Sequence, residues 1–233
     1  MMANNGFIRI DLTTPIIPSD PRMTADGLLG GILFEKHRDG PLALENLPVA
    51  TRDDIPLASQ GFMQFPAIPQ SVTIYGNIAS EPAKDAMAFS RIETKIPRVD
   101  GNAGPYKTKE GNYIAYATPA LWFLVRGDLA AINDLLADAP FIGTLRSKGW
   151  GEVAGYCVGE VRTANPWHGV VSAGRVLRPI PTRCRSLLPE LIDYTVRTET
   201  WRSPYSWSER AEPCMVPPYS GPLTVAEIRD LGR

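Results

Sequence analysis

Residues 141–153 read Phe-Ile-Gly-Thr-Leu-Arg-Ser-Lys-Gly-Trp-Gly-Glu-Val, and no other stretch limits the possible fold as much. A helical pattern precedes it and an apolar, strand-like run follows, so the segment must turn the chain from a helix into a strand. Gly143, Gly149 and Gly151 permit φ > 0 and close approach of another backbone. Successive N–H groups in such a turn form an anion-binding concavity. Arg146 and Lys148 add positive charge beside Ser147, and Trp150 adds a flat face on which a base can stack. Two readings stand at this point: a loop that grips a phosphate backbone, or a tight turn with two solvated cations. The mononucleotide P-loop is excluded, because no GK[ST] ends the segment. The dinucleotide fingerprint is excluded too, because the loop leads into a strand rather than opening a helix.

The flanking elements follow from periodicity. Phe7 to Thr13 alternates apolar and polar residues, as a half-buried strand does, and Pro15 and Pro18 end it. Thr24 or Asp20 offers an N-cap for a helix over Ala25–His37, with Leu28, Leu29, Ile32 and Leu33 as its apolar stripe. Gly27, Gly30 and Gly31 are poor helix formers, and close packing against a sheet is their expected use. Residues 39–60 read as an irregular connection. Strands are expected over Ser71–Ile78, Ala86–Ile92, Tyr113–Ala117, Leu121–Val125 and Glu152–Val161. Asp128 caps an amphipathic helix over Leu129–Ala137, closed by Pro140. The resulting order is the βαββαβ of an α+β, ferredoxin-like domain with an insertion before its second helix. That insertion, near residues 95–112, is rich in Gly and Lys and bears Arg98, Lys107 and Lys109. Residues 1–161 form this domain. Residues 162–233, rich in Arg, Trp and Pro, form a small appended subdomain with a strand in Tyr194–Trp201.

A net charge of -1 hides an asymmetry. Residues 1–80 hold five Lys/Arg against eight Asp/Glu, whereas residues 142–210 hold ten against six, nine of the ten being Arg. Arg suits bidentate phosphate contacts, so the basic half hints at a polyanion, with a solvated surface as the plain alternative. Three cysteines form no CxxC pair and there are two histidines, so neither a disulfide framework nor a metal centre is expected, and no cofactor. No apolar run is long enough for a bilayer and the first residues lack a leader's apolar stretch, which gives a cytoplasmic expectation with no membrane partner.

The loop residues Gly143, Leu145, Arg146, Ser147, Lys148, Gly149, Trp150 and Gly151 resemble the Gly–basic–Gly-aromatic-Gly motif of the RAMP superfamily of CRISPR-associated proteins. The Thr13-Thr14-Pro15 strand exit and the Asp26-Gly27-Leu28-Leu29 helix opening are similar to small RAMP subunits of type III and type IV effector complexes. The resemblance covers residues 7–161. It implies a non-catalytic subunit of the Cas-five type in a type IV complex, holding the 5′ handle of the crRNA and capping the filament of RAMP backbone subunits. A large subunit and target nucleic acid, met through the complex, are further implied partners. Residues 95–112 sit where that family carries a thumb-like hairpin. The implied RNA-binding set is Gly143, Arg146, Ser147, Lys148, Gly149, Trp150 and Gly151, with Arg98, Lys107 and Lys109 of the thumb.

Two alternatives are carried beside it. Some RAMP members process guide RNA, and His37 stands where such a member places a general acid or base; a His at a helix C-terminus also suits the dipole without any chemistry. A ferredoxin-like domain that binds a small anion is the second alternative. His168 is expected on a surface loop. Trp201, Tyr205 and Trp207 interleave with Arg202 and Arg210, as on a base-stacking platform, although core filling suits the tryptophans slightly better. Asp11, Asp26, Asp53 and Asp54 are assigned to caps and loops.

Overall fold

The computed structural model describes residues 3–18, 23–76, 109–202, 211–218 and 221–232. The chain runs through β1 (Asn4–Leu12), α1 (Ala25–His37), α2 (Gly40–Glu45), β2 (Thr51–Arg52), β3 (Ile55–Pro56), β4 (Phe62–Met63), β5 (Ile68–Gly76) and β6 (Lys109–Ala117). It continues through β7 (Ala120–Gly127), α3 (Leu129–Ala137), β8 (Val153–Glu160), β9 (Val171–Ser172), β10 (Arg175–Val176), β11 (Ile180–Pro181), β12 (Thr195–Glu199), β13 (Glu212–Val216) and α4 (Val225–Leu231).

The main sheet has the order β4-β7-β1-β8, antiparallel throughout. With α1 following β1 and α3 following β7, this is the strand order of a ferredoxin-like fold. Ile8 stands opposite Phe123 and Ile10 opposite Leu121. The period of two sends these side chains to one face, where they meet Leu29, Leu33, Ile132 and Leu136 of the two helices. The helix ends obey their caps. Thr24 accepts a hydrogen bond from the Gly27 amide and Asp128 accepts one from the Ala131 amide. Each cap contributes about 1 kcal/mol. Gly30 is buried as expected, but Gly31 faces solvent, with nothing near where a Cβ would sit. Close packing therefore does not account for Gly31.

The second strand of the fold departs from expectation. The described part of Ser71–Ile78, up to Gly76, is not in the main sheet: Ile68–Gly76 pairs with Lys109–Ala117 as a separate two-stranded ribbon. Its place along β7 is taken by fragments of the stretch read as an irregular connection over 39–60, together with Phe62 and Met63 just after it. Val49 bridges Gly127, Ala58 bridges Val125, and Phe62 and Met63 pair with Trp122 and Leu121. The same stretch holds α2, capped by Asp39, and a β2–β3 turn in which Asp53 and Asp54 take positive φ. Such short pieces are invisible to a pattern search that needs a longer window.

Contacts group Met1–Ile68 with Tyr116–Arg233, and Pro69–Ala115 apart from them. Residues 162–233 thus share a unit with residues 3–68 and 116–161, which carry the main sheet and its two helices. Within this unit a second core gathers Ile55, Leu57, Trp167, Val170, Ile180, Trp201 and Met215. Of the three-stranded sheet β11-β13-β12, β11 and β13 supply Ile180, Cys214, Met215 and Val216 to this core. Ile228 of α4 joins Trp122 and Leu124 in a third cluster, so α4 covers the outer face of β7. The strand expected over Ala86–Ile92 lies outside the described residues. No helix among the described residues is long and apolar enough to cross a membrane.

His168 is buried, not on a surface loop: it is 1% exposed. Its Nε2–H donates to the Gly6 carbonyl at 2.8 Å. Burial pushes the imidazole below its ordinary value, partly opposed by the Gly6 hydrogen bond, and the nearby Arg126 charge pushes it the same way. The folded state therefore resists protonation that the unfolded chain accepts near pH 6.5. Stability from this group is fully present above pH 6.5 and is lost as pH falls below it, towards the lowered folded value. His168→Gln keeps a donor for Gly6 and removes the titration. Melting of the two proteins from pH 8 to pH 5 should show the wild type losing more stability than the variant, and parallel curves would refute the assignment.

Candidate nucleic-acid interface

The glycine-rich segment is held in place by the exit of β1. Thr13 donates its amide to the Glu152 carbonyl and its hydroxyl to Glu152 Oε2, at 3.0 and 2.7 Å. The Thr14 hydroxyl donates to the Gly149 carbonyl and accepts from the Glu152 amide, both at 2.9 Å. The Gly151 amide donates to Pro15 O and the Thr144 amide to Ile17 O. The Thr-Thr-Pro exit and the loop, distant in sequence, are one braced unit. Part of the expected anion concavity is consequently spent, since the amides of Ile142, Thr144, Lys148, Gly149 and Gly151 donate to protein carbonyls.

Between the braces, Arg146–Lys148 makes one 3₁₀ turn, entered through Leu145 at φ 60° and left through Gly149 at φ 83°. Gly143 and Gly151 also have positive φ. This geometry puts Ser147, Lys148 and Gly149 on the outside, with Arg146 and Trp150 half-buried. The loop therefore brings Gly143, Arg146, Ser147, Lys148, Gly149, Trp150 and Gly151 into one compact turn. Arg98 and Lys107 lie outside the described residues, and Lys109 opens β6.

Sequence patterns gave no sign of the partner that Arg146 has. Its guanidinium forks onto Glu35 in the last turns of α1, with Nη1 2.9 Å from Oε2 and Nη2 on Oε1. The two residues are 111 positions apart. An exposed pair of this kind contributes about 0–1 kcal/mol, so a phosphate competes for Arg146 on nearly even terms. One residue along, Lys36 Nζ lies 2.9 Å from Asp138 Oδ2. His37, exposed, ends α1 two positions after Glu35. Residues i and i+2 do not share a helix face, so the face that meets the loop carries Glu35 rather than His37.

The Arg-rich half is less available than its composition suggests. Arg178 is fully buried against Asp26, and Arg183 forks onto Glu212 at 3.0 and 3.1 Å. The Arg183 hydrogen bonds hold the Glu212 carboxyl below its ordinary value against the opposing effect of burial, and the Trp201 indole, donating to Glu212 Oε1 at 2.6 Å, pushes it down further. Arg183 and Arg202 both lie over the Trp201 ring. Trp201 is thus a core residue, while Tyr205, Trp207 and Arg210 lie outside the described residues. Asp26 is corrected from a cap or loop residue to half of a buried ion pair. Asp11 pairs on the sheet surface with Arg9 at 2.7 Å. Among the described residues no group of three or more His, Cys, Asp or Glu is placed to hold a metal ion.

No protein-family model matches this chain, and no curated protein matches it. Among solved structures, it is similar to a chain in the cryo-EM structure of the type III-B Cmr-β complex bound to cognate target RNA, at 13% identity and a TM-score of 0.34. The match covers 67% of this chain and 61% of that one, so this chain spans about three-fifths of the neighbour's length.

Proposed function

We propose that this chain is a non-catalytic RNA-binding subunit of a CRISPR ribonucleoprotein, gripping guide RNA with its glycine-rich loop. The observation that carries the reading is the loop itself. A short basic turn is braced on both sides by the exit of β1 and displays Ser147, Lys148 and Gly149 outward. Bracing lowers the ordering cost of binding, because the turn is formed before RNA arrives. The resemblance of this motif to the RAMP superfamily supplies the finer reading: a type IV-like complex, the crRNA 5′ handle as ligand, and filament-forming backbone subunits and a large subunit as neighbours. Target nucleic acid is met through the assembled complex.

The test uses Arg146→Ala with Lys148→Ala. Each lost phosphate contact lowers the slope of log affinity against log salt by about 0.7 for a single strand, so the double variant is expected to lose about 1.4. Titration of crRNA at several salt concentrations measures it. Equal affinity and equal slope would sink the phosphate-gripping role. In the same preparations, wild-type protein in EDTA is expected to leave labelled repeat RNA intact. A defined product that disappears in His37→Ala would replace the binding subunit with a nuclease.

A further inference from the structure

A cleft of about 710 Å³ opens between α1, the C-terminal end of α3 and the glycine-rich loop. Sites for small ligands span about 300–1,000 Å³, so this one is roomy enough for a nucleobase with part of its sugar. Ile32 and Phe141 supply apolar wall, and Phe141 is the aromatic side chain among the lining residues. Glu35, Asp138, Arg146 and Ser147 supply the polar wall. Arg146 and Ser147 therefore belong both to this cleft and to the turn that faces RNA.

We propose that the cleft takes one unstacked guanine base of the bound RNA, with the Glu35 carboxylate receiving its N1–H and 2-amino group. This inference rests on the RNA-binding reading given above. The argument begins with what the carboxylate lacks. An ionised Glu accepts hydrogen bonds and donates none, so its ligand must bring the donors. Its two oxygens suit two parallel N–H groups side by side. Guanine carries two such donors on its Watson–Crick edge. Adenine and cytosine each set one amino group beside a ring nitrogen that accepts, which would face the second oxygen unfavourably. Uracil sets a single N–H between two carbonyls, with the same defect. Single-stranded RNA is read in this manner, by a base splayed from the stack, placed on an aromatic ring and bonded along its edge.

The Glu35–Arg146 fork couples the two halves of the site. In the protein alone, each satisfies the other. A backbone phosphate arriving at Arg146 exchanges one charge-assisted fork for another and leaves the Glu35 oxygens to the base. Lys36 remains on Asp138, so the opposite lip of the cleft keeps its own ion pair. Position of the base is then tied to position of the phosphate, which gives the loop a register on the RNA that charge alone cannot provide.

The experiment measures binding of the full chain to fluorescent RNA octamers: all-uridine, and the same with one central guanosine, adenosine or inosine. A bidentate contact of this type discriminates by about tenfold. Wild-type protein is expected to bind the guanosine octamer about tenfold more tightly than the adenosine octamer, with inosine, which lacks the 2-amino group, close to adenosine. Glu35→Gln is expected to lose the guanosine preference and to bind the all-uridine octamer more tightly, because Arg146 is released and a negative charge is gone. Equal binding of guanosine and adenosine octamers by wild type, or a guanosine preference that survives in Glu35→Gln, overturns the inference while leaving the RNA-binding reading intact. Absence of binding to every octamer overturns that reading and this inference together.

Discussion

Arg178→Ala is expected to lower the unfolding free energy by about 3–5 kcal/mol, the cost of removing one partner from a buried ion pair. Both side chains are 0% exposed, so bulk solvent does not reach the pair. Arg178 Nη1 donates to Asp26 Oδ1 at 3.1 Å, to the Pro56 carbonyl at 2.8 Å and to the Ala58 carbonyl at 3.1 Å. Its Nη2 donates to the Trp201 carbonyl at 2.5 Å. One guanidinium thus serves the start of α1, the broken stretch beside β7 and the approach to β13. Truncation takes the guanidinium away from a buried carboxylate and removes the donor from these carbonyls at one stroke. Asp26→Asn, which keeps the shape and loses the charge, should cost less. In a double-mutant cycle the pair should be strongly non-additive, since the second removal takes out the buried charge that lost its guanidinium in the first. A domain of this kind is stable by about 5–15 kcal/mol, so the single variant should unfold at distinctly lower urea. A loss under about 1 kcal/mol in Arg178→Ala would show that the interior relaxes or admits water.

The second large effect is expected at Gly151→Ala. The residue has φ +71°, where an L side chain is strained by about 1–2 kcal/mol. An added Cβ would also sit 2.0 Å from the Ile142 carbonyl oxygen, and a backbone atom cannot swing away as a side-chain tip does. The same residue donates its amide to Pro15 and accepts at its carbonyl from the Ile142 amide, so any shift loosens the brace on the loop. Gly149 is the control. It has φ +83°, yet nothing lies near the place of its Cβ. Gly149→Ala should therefore cost the conformational strain alone, and Gly151→Ala should exceed it by at least about 1–2 kcal/mol in urea unfolding. RNA affinity should fall in the same order. Equal losses at the two positions would mean that the backbone clash is absorbed cheaply.

The elements that could be read in advance are those whose information is local. The bounds of α1 and α3 follow from Thr24 and Asp128, side chains that cap amides three residues on. The strand β1 follows from alternation, and the loop from glycines and cations packed into nine residues. The misreadings have a common cause as well. The second strand of the sheet is a series of single bridges and one two-residue piece, which β7 orders through Gly127, Val125, Trp122 and Leu121 although each is too short to show a period. His168 looked like a loop residue because a Gly- and Pro-rich surround says nothing about what covers it; Gly6, 162 residues away, does.

The division falls between short-range and long-range pairing. Capping, alternation and turn chemistry act within a few residues, and so the amino-acid order alone determined the two principal helices, the first and last strands of the main sheet and the basic loop between helix and strand. Charge partners lie 111 residues apart for Glu35 and Arg146, and 152 for Asp26 and Arg178. Only the folded chain decides such matches, because they depend on which surfaces the sheet and helices bring together. Tertiary structure therefore turned one conspicuous arginine of the basic half into a core strut, and set another against a glutamate at the edge of a cleft.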